Sequence, residues 1–237
     1  MNSENWHHGR LAAFDIESTG VDPQTDRIVT ATVSVVGGKQ PIDTVSWLAD
    51  PGIPIPEGAS RVHGITTERA QAEGRPAGEV VSEIVEKLAD EIAKGVPVVA
   101  FNARYDLTML DREARRHGIV PLTERGSDLF VIDPLIMDKQ LWKFRNGKRT
   151  LTAVCEVYNV KLSEDDAHAA DADAIAAARV AWRMGEQYDE LKGVGLKELH
   201  ASQILWADEQ AASLEEYFRS QGKNETIERE WPIVSAG

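Results

Sequence analysis

Asp15 and Glu17 stand two residues apart in the stretch Phe14-Asp15-Ile16-Glu17-Ser18-Thr19-Gly20. The apolar run Leu11-Ala12-Ala13-Phe14 leading into them reads as the end of a buried strand. Side chains alternate along a strand with period two, so both carboxylates point to one face. Like charges held that close repel, and a hard divalent cation such as Mg²⁺ would remove the repulsion by taking carboxylate oxygens. A solvated strand end with two surface acids is the competing reading of the pair alone. Thr19-Gly20 then turns the chain, and a glycine there lets a backbone or a ligand come close.

Two further stretches carry residues of the same chemistry. Asp106 follows the apolar run Val96-Pro97-Val98-Val99-Ala100-Phe101 and the polar turn Asn102-Ala103-Arg104-Tyr105, which places it at a strand end near the start of a helix. Strand ends are where layered α/β sheets hold their sites. Taken alone, Asp106 reads as a helix cap rather than a ligand. In His168-Ala169-Ala170-Asp171-Ala172-Asp173, a helix beginning near Asp171 leaves His168 on the preceding loop and Asp173 in the first turn. Asp171 reads as the cap, and a surface histidine is the plain alternative for His168. Histidine exchanges its proton near neutral pH, which suits a general base for a water nucleophile. Taken together, the four acids could hold two divalent ions that activate water and stabilise a leaving phosphodiester oxygen.

The elements that would position these residues follow from periodicity. Residues 11–17, 27–36 and 43–48 read as three strands of an antiparallel meander. The proline-rich stretch from Pro51 to Pro56 is a loop, and Arg61 to Thr66 reads as irregular. Val80, Val81, Ile84, Val85, Leu88 and Ile92 fall at helical spacing. Residues 96–101 and 128–132 are short strands, giving five in all. Asp133-Pro134 starts a helix with proline in its first turn. An alanine-rich helix spans about 171–191, with Ile175, Ala178, Val180, Ala181 and Met184 as its buried face. Strands first and then strand and helix in alternation predict a layered α/β domain with a mixed sheet flanked by helices. Beyond residue 191 come an amphipathic helix over 200–219 and a polar, loose tail with Trp231-Pro232-Ile233 near its end. The expected organisation is a main domain over 1–190 and a helical extension over 191–237 packed on it.

The 237 residues are 42% hydrophobic and 27% charged, ordinary for a globular chain able to bury a core. Cys155 is the single cysteine, so no intrachain disulfide can form, and a cytoplasmic location fits. The first residues show no signal peptide, and no apolar run approaches the roughly 20 residues of a membrane span. A net charge of −13 argues against a general nucleic-acid binder with a basic surface. It leaves room for an enzyme that meets phosphates through metal ions and one local basic patch. Lys139, Lys143, Arg145, Lys148 and Arg149, with Trp142 and Phe144 among them, form such a patch. Charge interleaved with rings suits a single strand. The plain alternative is a solvated helix face with its two aromatics turned inward.

Asp15-Ile16-Glu17-Ser18-Thr19-Gly20, then Asn102 with Asp106, then His168 with Asp173 resembles the three motifs of the DEDDh 3′–5′ exonucleases. That family includes the proofreading epsilon subunit of bacterial DNA polymerase III, ribonuclease T and oligoribonuclease. Each motif is weak alone, and the resemblance rests on all three in order, over roughly residues 10–185. The proline-rich loop and Val62-His63-Gly64-Ile65-Thr66 are similar to the epsilon-type branch. The resemblance implies a ribonuclease-H-like fold, two Mg²⁺ or Mn²⁺ ions, and release of nucleoside 5′-monophosphates from the 3′ end of single-stranded or frayed DNA. By position it makes Asp15, Glu17, Asp106 and Asp173 metal ligands and His168 the general base. It places Thr19, Gly20, His63, Asn102 and Tyr105 near the terminal nucleotide, and Lys143, Arg145, Lys148 and Arg149 along the strand. Many relatives carry phenylalanine where Tyr105 stands. A DNA polymerase is a candidate partner. The rival readings are an exoribonuclease with the same catalytic set, a non-catalytic nucleic-acid-binding or polymerase-associated subunit, and a ribonuclease-H-like endonuclease. The histidine five positions before the last acid disfavours the endonuclease.

Overall fold

In the computed structural model, which describes residues 5–162 and 170–236, the chain builds a mixed sheet with helices on both faces. Strand β1 (Arg10–Ser18) pairs antiparallel with β2 (Ile28–Gly37), and β2 with β3 (Asp43–Asp50). Helices α1 (Glu57–His63) and α2 (Thr67–Glu73) follow, then β4 (Arg75–Pro76), which lies parallel to β3. Helix α3 (Ala77–Ala93) leads to β5 (Val98–Val99), and α4 (Ala103–Arg116) to β6 (Val131–Ile132). Helices α5 (Pro134–Leu141), α6 (Leu151–Val157), α7 (Ala170–Gln187) and α8 (Leu196–Ser220) complete the described chain. The sheet order is β4-β3-β2-β1-β5-β6, with β5 and β6 parallel to β1. Among the described residues no helix is long and apolar enough to cross a membrane.

Strand β1 is central and covered on both faces, and its alternation assigns them. Phe14 and Ile16 enter a core with Val80, Ile84 and Leu88 of α3 and Leu107 and Leu110 of α4. Leu11 and Ala13 enter a second core on the opposite face with Ala174, Ala177, Ala178 and Ala181 of α7. Asp15 and Glu17 continue the Leu11–Ala13 register, so they point to the side that α7 covers. Small side chains on α7 let it lie close to the sheet. All six apolar residues expected on α3 are buried, and each such side chain contributes about 1.5–3 kcal/mol of burial.

The sheet has six strands where five were expected. The additional strand, β4, is two residues long and carries no hydrophobic pattern. It is set by contact: a Cβ on Gly74 would lie 2.6 Å from the Asp50 amide and 2.3 Å from the Ala70 carbonyl. Only glycine lets the chain run against β3 there. Residues 57–63, of which 61–63 were read as irregular, form α1, which buries no side chain and so leaves no apolar stripe in the sequence. Ile175 is only half-buried, whereas Ala174, Ala176 and Ala177 are fully packed. The end of the chain, read as loose, is held in place. Trp231 is buried, Arg112 donates to the carbonyls of Val234 (2.8 Å) and Ser235 (2.9 Å), and the Val234 amide donates to Thr108 Oγ1.

Helix α8 closes the β6 edge of the sheet. Gln203 Nε2 donates to the Val131 carbonyl and its Oε1 accepts from the Asp133 amide, while His200 Nδ1 accepts from the Val131 amide. Backbone groups that an edge strand leaves open are thereby satisfied by two side chains of one helix.

Candidate active site

Three elements bring four carboxylates together. Asp15 and Glu17 come from β1, Asp106 from the first turn of α4 and Asp173 from the first turn of α7. The Asp106 carboxylate accepts from the Ile16 amide at 3.3 Å, which seats it between the two β1 acids. Asp106 is 4% exposed, and its side chain faces β1 instead of capping its own helix. Burial first, and then the charges of Asp106, Asp173 and Glu17, push the Asp15 carboxyl well above the usual range. Burial, with Asp173 beside it, lifts Glu17 to about 7. Asp106 is raised mainly by burial, with Asp133 and Glu17 adding to it. Oxygen-only ligands that repel one another suit a hard divalent cation, although among the described residues the ligand atoms that come within 4.8 Å of one another in a group of three are those of His7, His8 and Glu186. His168 lies outside the described residues. Asp171, expected as the cap of α7, is instead its second residue and is exposed.

Asp133 does the capping that Asp106, read in isolation, suggested. Buried and 31 residues further along the chain than Asn102, its carboxylate accepts from the Asn102 amide (3.0 Å), the Ala103 amide (2.9 Å) and the Leu135 amide (2.9 Å). Trp231 Nε1 donates to it at 3.4 Å. One carboxylate thus caps both α4 and α5 and ties them to the end of the chain. Asn102 adopts a left-handed backbone (φ 67°), which asparagine tolerates, and its exposed amide side chain makes no hydrogen bond among the described residues. The sequence signal for Asp133 was its place before Pro134. That reveals a cap for α5 and is silent about α4.

The turn after β1 is closed by its own side chains. Thr19 Oγ1 donates to Asp26 and accepts from the Arg27 amide, so its hydroxyl is engaged inside the loop. A Cβ on Gly20 would lie 2.5 Å from the Asp26 carboxylate, so a side chain here would displace that pair. The Tyr105 hydroxyl donates to the Gly20 carbonyl at 2.5 Å and also bonds Ser18 Oγ. It therefore laces α4 to the end of β1, a task phenylalanine could not perform. Burial pushes its pKa up to about 12. His63 ends α1, and its Nδ1 accepts from the Ile65 amide. Burial lowers its pKa against the opposing backbone of Ser18, which puts the ring beside this turn.

The basic patch divides. Arg145 Nη2 donates to Asp138 Oδ2 at 2.9 Å, and Arg149 pairs with the same fully buried carboxylate. Tyr158 donates to the other Asp138 oxygen, and Arg149 also donates to the carbonyls of Asp138 and Trp142. These two guanidiniums hold the loop together. Lys143 and Lys148 are exposed, and among the described residues their ammonium groups make no hydrogen bond or ion pair, although their carbonyls accept from Arg149 and Arg145. The segment 142–149 is not helical, and Trp142 and Phe144 are 47% and 87% exposed instead of turned into the core.

Comparisons with known proteins bear on the family and the fold. The RNase T family model, described as exonuclease, matches residues 12–181. A PolC-type DNA polymerase III of Caldanaerobacter subterraneus is 28% identical over 84% of this chain. A DNA polymerase III subunit epsilon-like protein of Rhodobacter capsulatus is 30% identical over 73% of it. The chain spans 13% and 23% of those two relatives. Among solved structures, Escherichia coli exonuclease I in complex with a dT13 oligonucleotide is similar in fold, with a TM-score of 0.64 at 18% identity. The match covers 77% of this chain and 42% of that one.

Proposed function

We propose a function from one premise: the chain belongs to the RNase T exonuclease family. It is a metal-dependent 3′–5′ exonuclease that hydrolyses phosphodiester bonds at the 3′ end of single-stranded or frayed DNA and releases nucleoside 5′-monophosphates. Residues 1–190 form the exonuclease unit and 191–237 an extension packed on it, and the enzyme works in the cytoplasm. The observation that carries this reading is the convergence of Asp15, Glu17, Asp106 and Asp173 from three elements. These four carboxylates would hold two Mg²⁺ or Mn²⁺ ions, which when bound supply an activated water and charge stabilisation at the leaving oxygen.

The chain's own residues do the rest. Asp133 fixes the start of α4, and with it Asn102 and Asp106, against the end of β1. Tyr105, His63 and the Thr19-Gly20 turn shape the place of the terminal nucleotide. His168 takes the proton of the attacking water as general base. The polymerase names among the relatives support a polymerase as partner.

The test is digestion of 5′-labelled DNA and RNA single strands of equal sequence, with Mg²⁺, with Mn²⁺ and with chelator, by wild type and Asp15→Ala. A metal-dependent ladder shortening from the 3′ end, absent in the variant, is expected, with DNA the faster substrate. A faster RNA ladder would make the protein an exoribonuclease. No ladder on either strand would leave a binding subunit.

A further inference from the structure

Behind Asn102 a groove runs between α5 and α8. Its inner part, about 160 Å³, is lined by Asn102, Arg104, Lys139 and Gln210 among others. Its outer part, about 290 Å³, shares Lys139 and Gln210 and adds Lys143 and Tyr217. Arg104 is half-buried, makes no hydrogen bond or ion pair, and its Nε is sealed from solvent without a partner. Lys139 is also half-buried and also lacks any such bond. Burial holds its pKa below the usual range; the Asp133 and Asp138 carboxylates oppose this, and the Arg149 and Arg104 guanidiniums add to it. The Asp133 carboxylate lines the inner part and is engaged by backbone amides, Glu228 acts with it on Arg104 at longer range than an ion pair, and Glu209 stands on the outer wall. Gln210 donates to the Ile136 carbonyl and leaves its buried Oε1 without a bond.

Half-buried cations that make no direct ion pair keep hydrogen-bond donors that an anion can complete. Exposed Asn102, beside the proposed site, lines the inner part, and Tyr217, 58% exposed, lines the outer part. Successive phosphates on cations with bases stacked on rings is the pattern of single-strand binding.

We propose that the α5–α8 groove binds the single strand on the 5′ side of the scissile bond, with Arg104 and Lys139 each contacting a phosphate. The inference rests on the exonuclease reading for which end of the strand enters, and its test reads binding apart from cleavage.

Fluorescein-labelled oligothymidylate of about 16 nucleotides, the upper footprint of single-strand modules, is titrated by anisotropy with Asp15→Asn protein, which does not cleave. Adding Arg104→Gln and Lys139→Gln is expected to weaken binding about tenfold near 0.1 M salt. The slope of log K against log salt is expected to become shallower by about 1.4, two contacts at about 0.7 each. In the cleaving background the same pair raises KM more for the long strand than for a trinucleotide. Equal affinity and equal slope would overturn the proposal, as would a KM rise independent of length. If the double variant does not fold, Lys139→Gln alone is read for a slope change of about 0.7. A wild type that makes no ladder while the anisotropy result holds would refute the exonuclease reading and leave the groove standing.

Discussion

The carboxylate end of β1 and the groove between α5 and α8 both gather like charge, by opposite means. At β1 the charges are brought from three distant elements and seated by backbone, with the Ile16 amide holding Asp106. In the groove Arg104 and Lys139 lie on α4 and α5, successive helices of the chain, and make no direct ion pair among the described residues. Asp133 stands behind both, capping the helix that carries Asp106 and Arg104 and the helix that carries Lys139. The basic loop next to the groove shows the contrast: there Asp138 neutralises Arg145 and Arg149, and the result is a folded loop. Neutralised charge builds structure, and crowded charge of one sign waits for a ligand.

The largest effect that would sharpen this contrast is at Asp15. Replacing it with alanine removes charge stabilisation worth several kcal/mol and is expected to slow hydrolysis about 10³-fold, read by single-turnover kinetics. Wild-type rates in the variant would break the assignment of the cluster.

Metal binding comes next. Saturating Mg²⁺ or Mn²⁺ at about 100 times Kd stabilises the folded chain by about 2.7 kcal/mol, a rise in Tm of roughly 5–10 °C for a chain of this size. Asp15→Asn is expected to melt above metal-free wild type, because one repelling charge is gone, and to respond less to the ion. Calorimetry with and without chelator checks both halves, and a lower metal-free Tm in the variant would refute the repulsion.

A stability comparison within the basic loop separates structural from free cations. Arg149→Ala leaves the buried Asp138 with one partner fewer and is expected to lose about 3 kcal/mol. Lys143→Ala is expected to stay within about 0.5 kcal/mol of wild type. Urea melts read both, and equal losses would erase the distinction.

The smallest effect is the pH response of the α8 seam. Burial lowers the pKa of His200. A base whose folded pKa lies below its unfolded value near 6.5 contributes stability present above that value and lost as pH falls below it. The site carboxylates, whose pKa values are raised, act in the opposite sense, so the informative quantity is a difference. Wild type should lose Tm relative to His200→Gln as pH drops below about 6.5. A constant gap across pH would exclude titration of His200.

Much of the fold was legible because its signals are local. The stripe on α3, the alternation of β1 and β2, and the alanine face of α7 each follow from neighbours a few residues apart. The parts that were not legible, β4 and α1, carry no burial pattern of their own; a glycine contact and an unburied turn define them. At the site, residue types and order revealed the acids, but one cap was misassigned: Asp171 sits inside the helix it was expected to cap. Asp106 faces β1, and the cap of α4 comes from Asp133.

By itself, then, the sequence determined the set of acids, the face of β1 that carries two of them and the layered α/β class, because period and residue type are properties of short stretches. Only the tertiary structure decided that Asp133 caps α4 across 30 residues of chain from Ala103. It alone showed that Arg145 and Arg149 are consumed by Asp138 while Arg104 and Lys139 make no direct ion pair among the described residues. Whether a charge is paired depends on which distant side chain folding brings within reach, and spacing along the chain does not encode that distance.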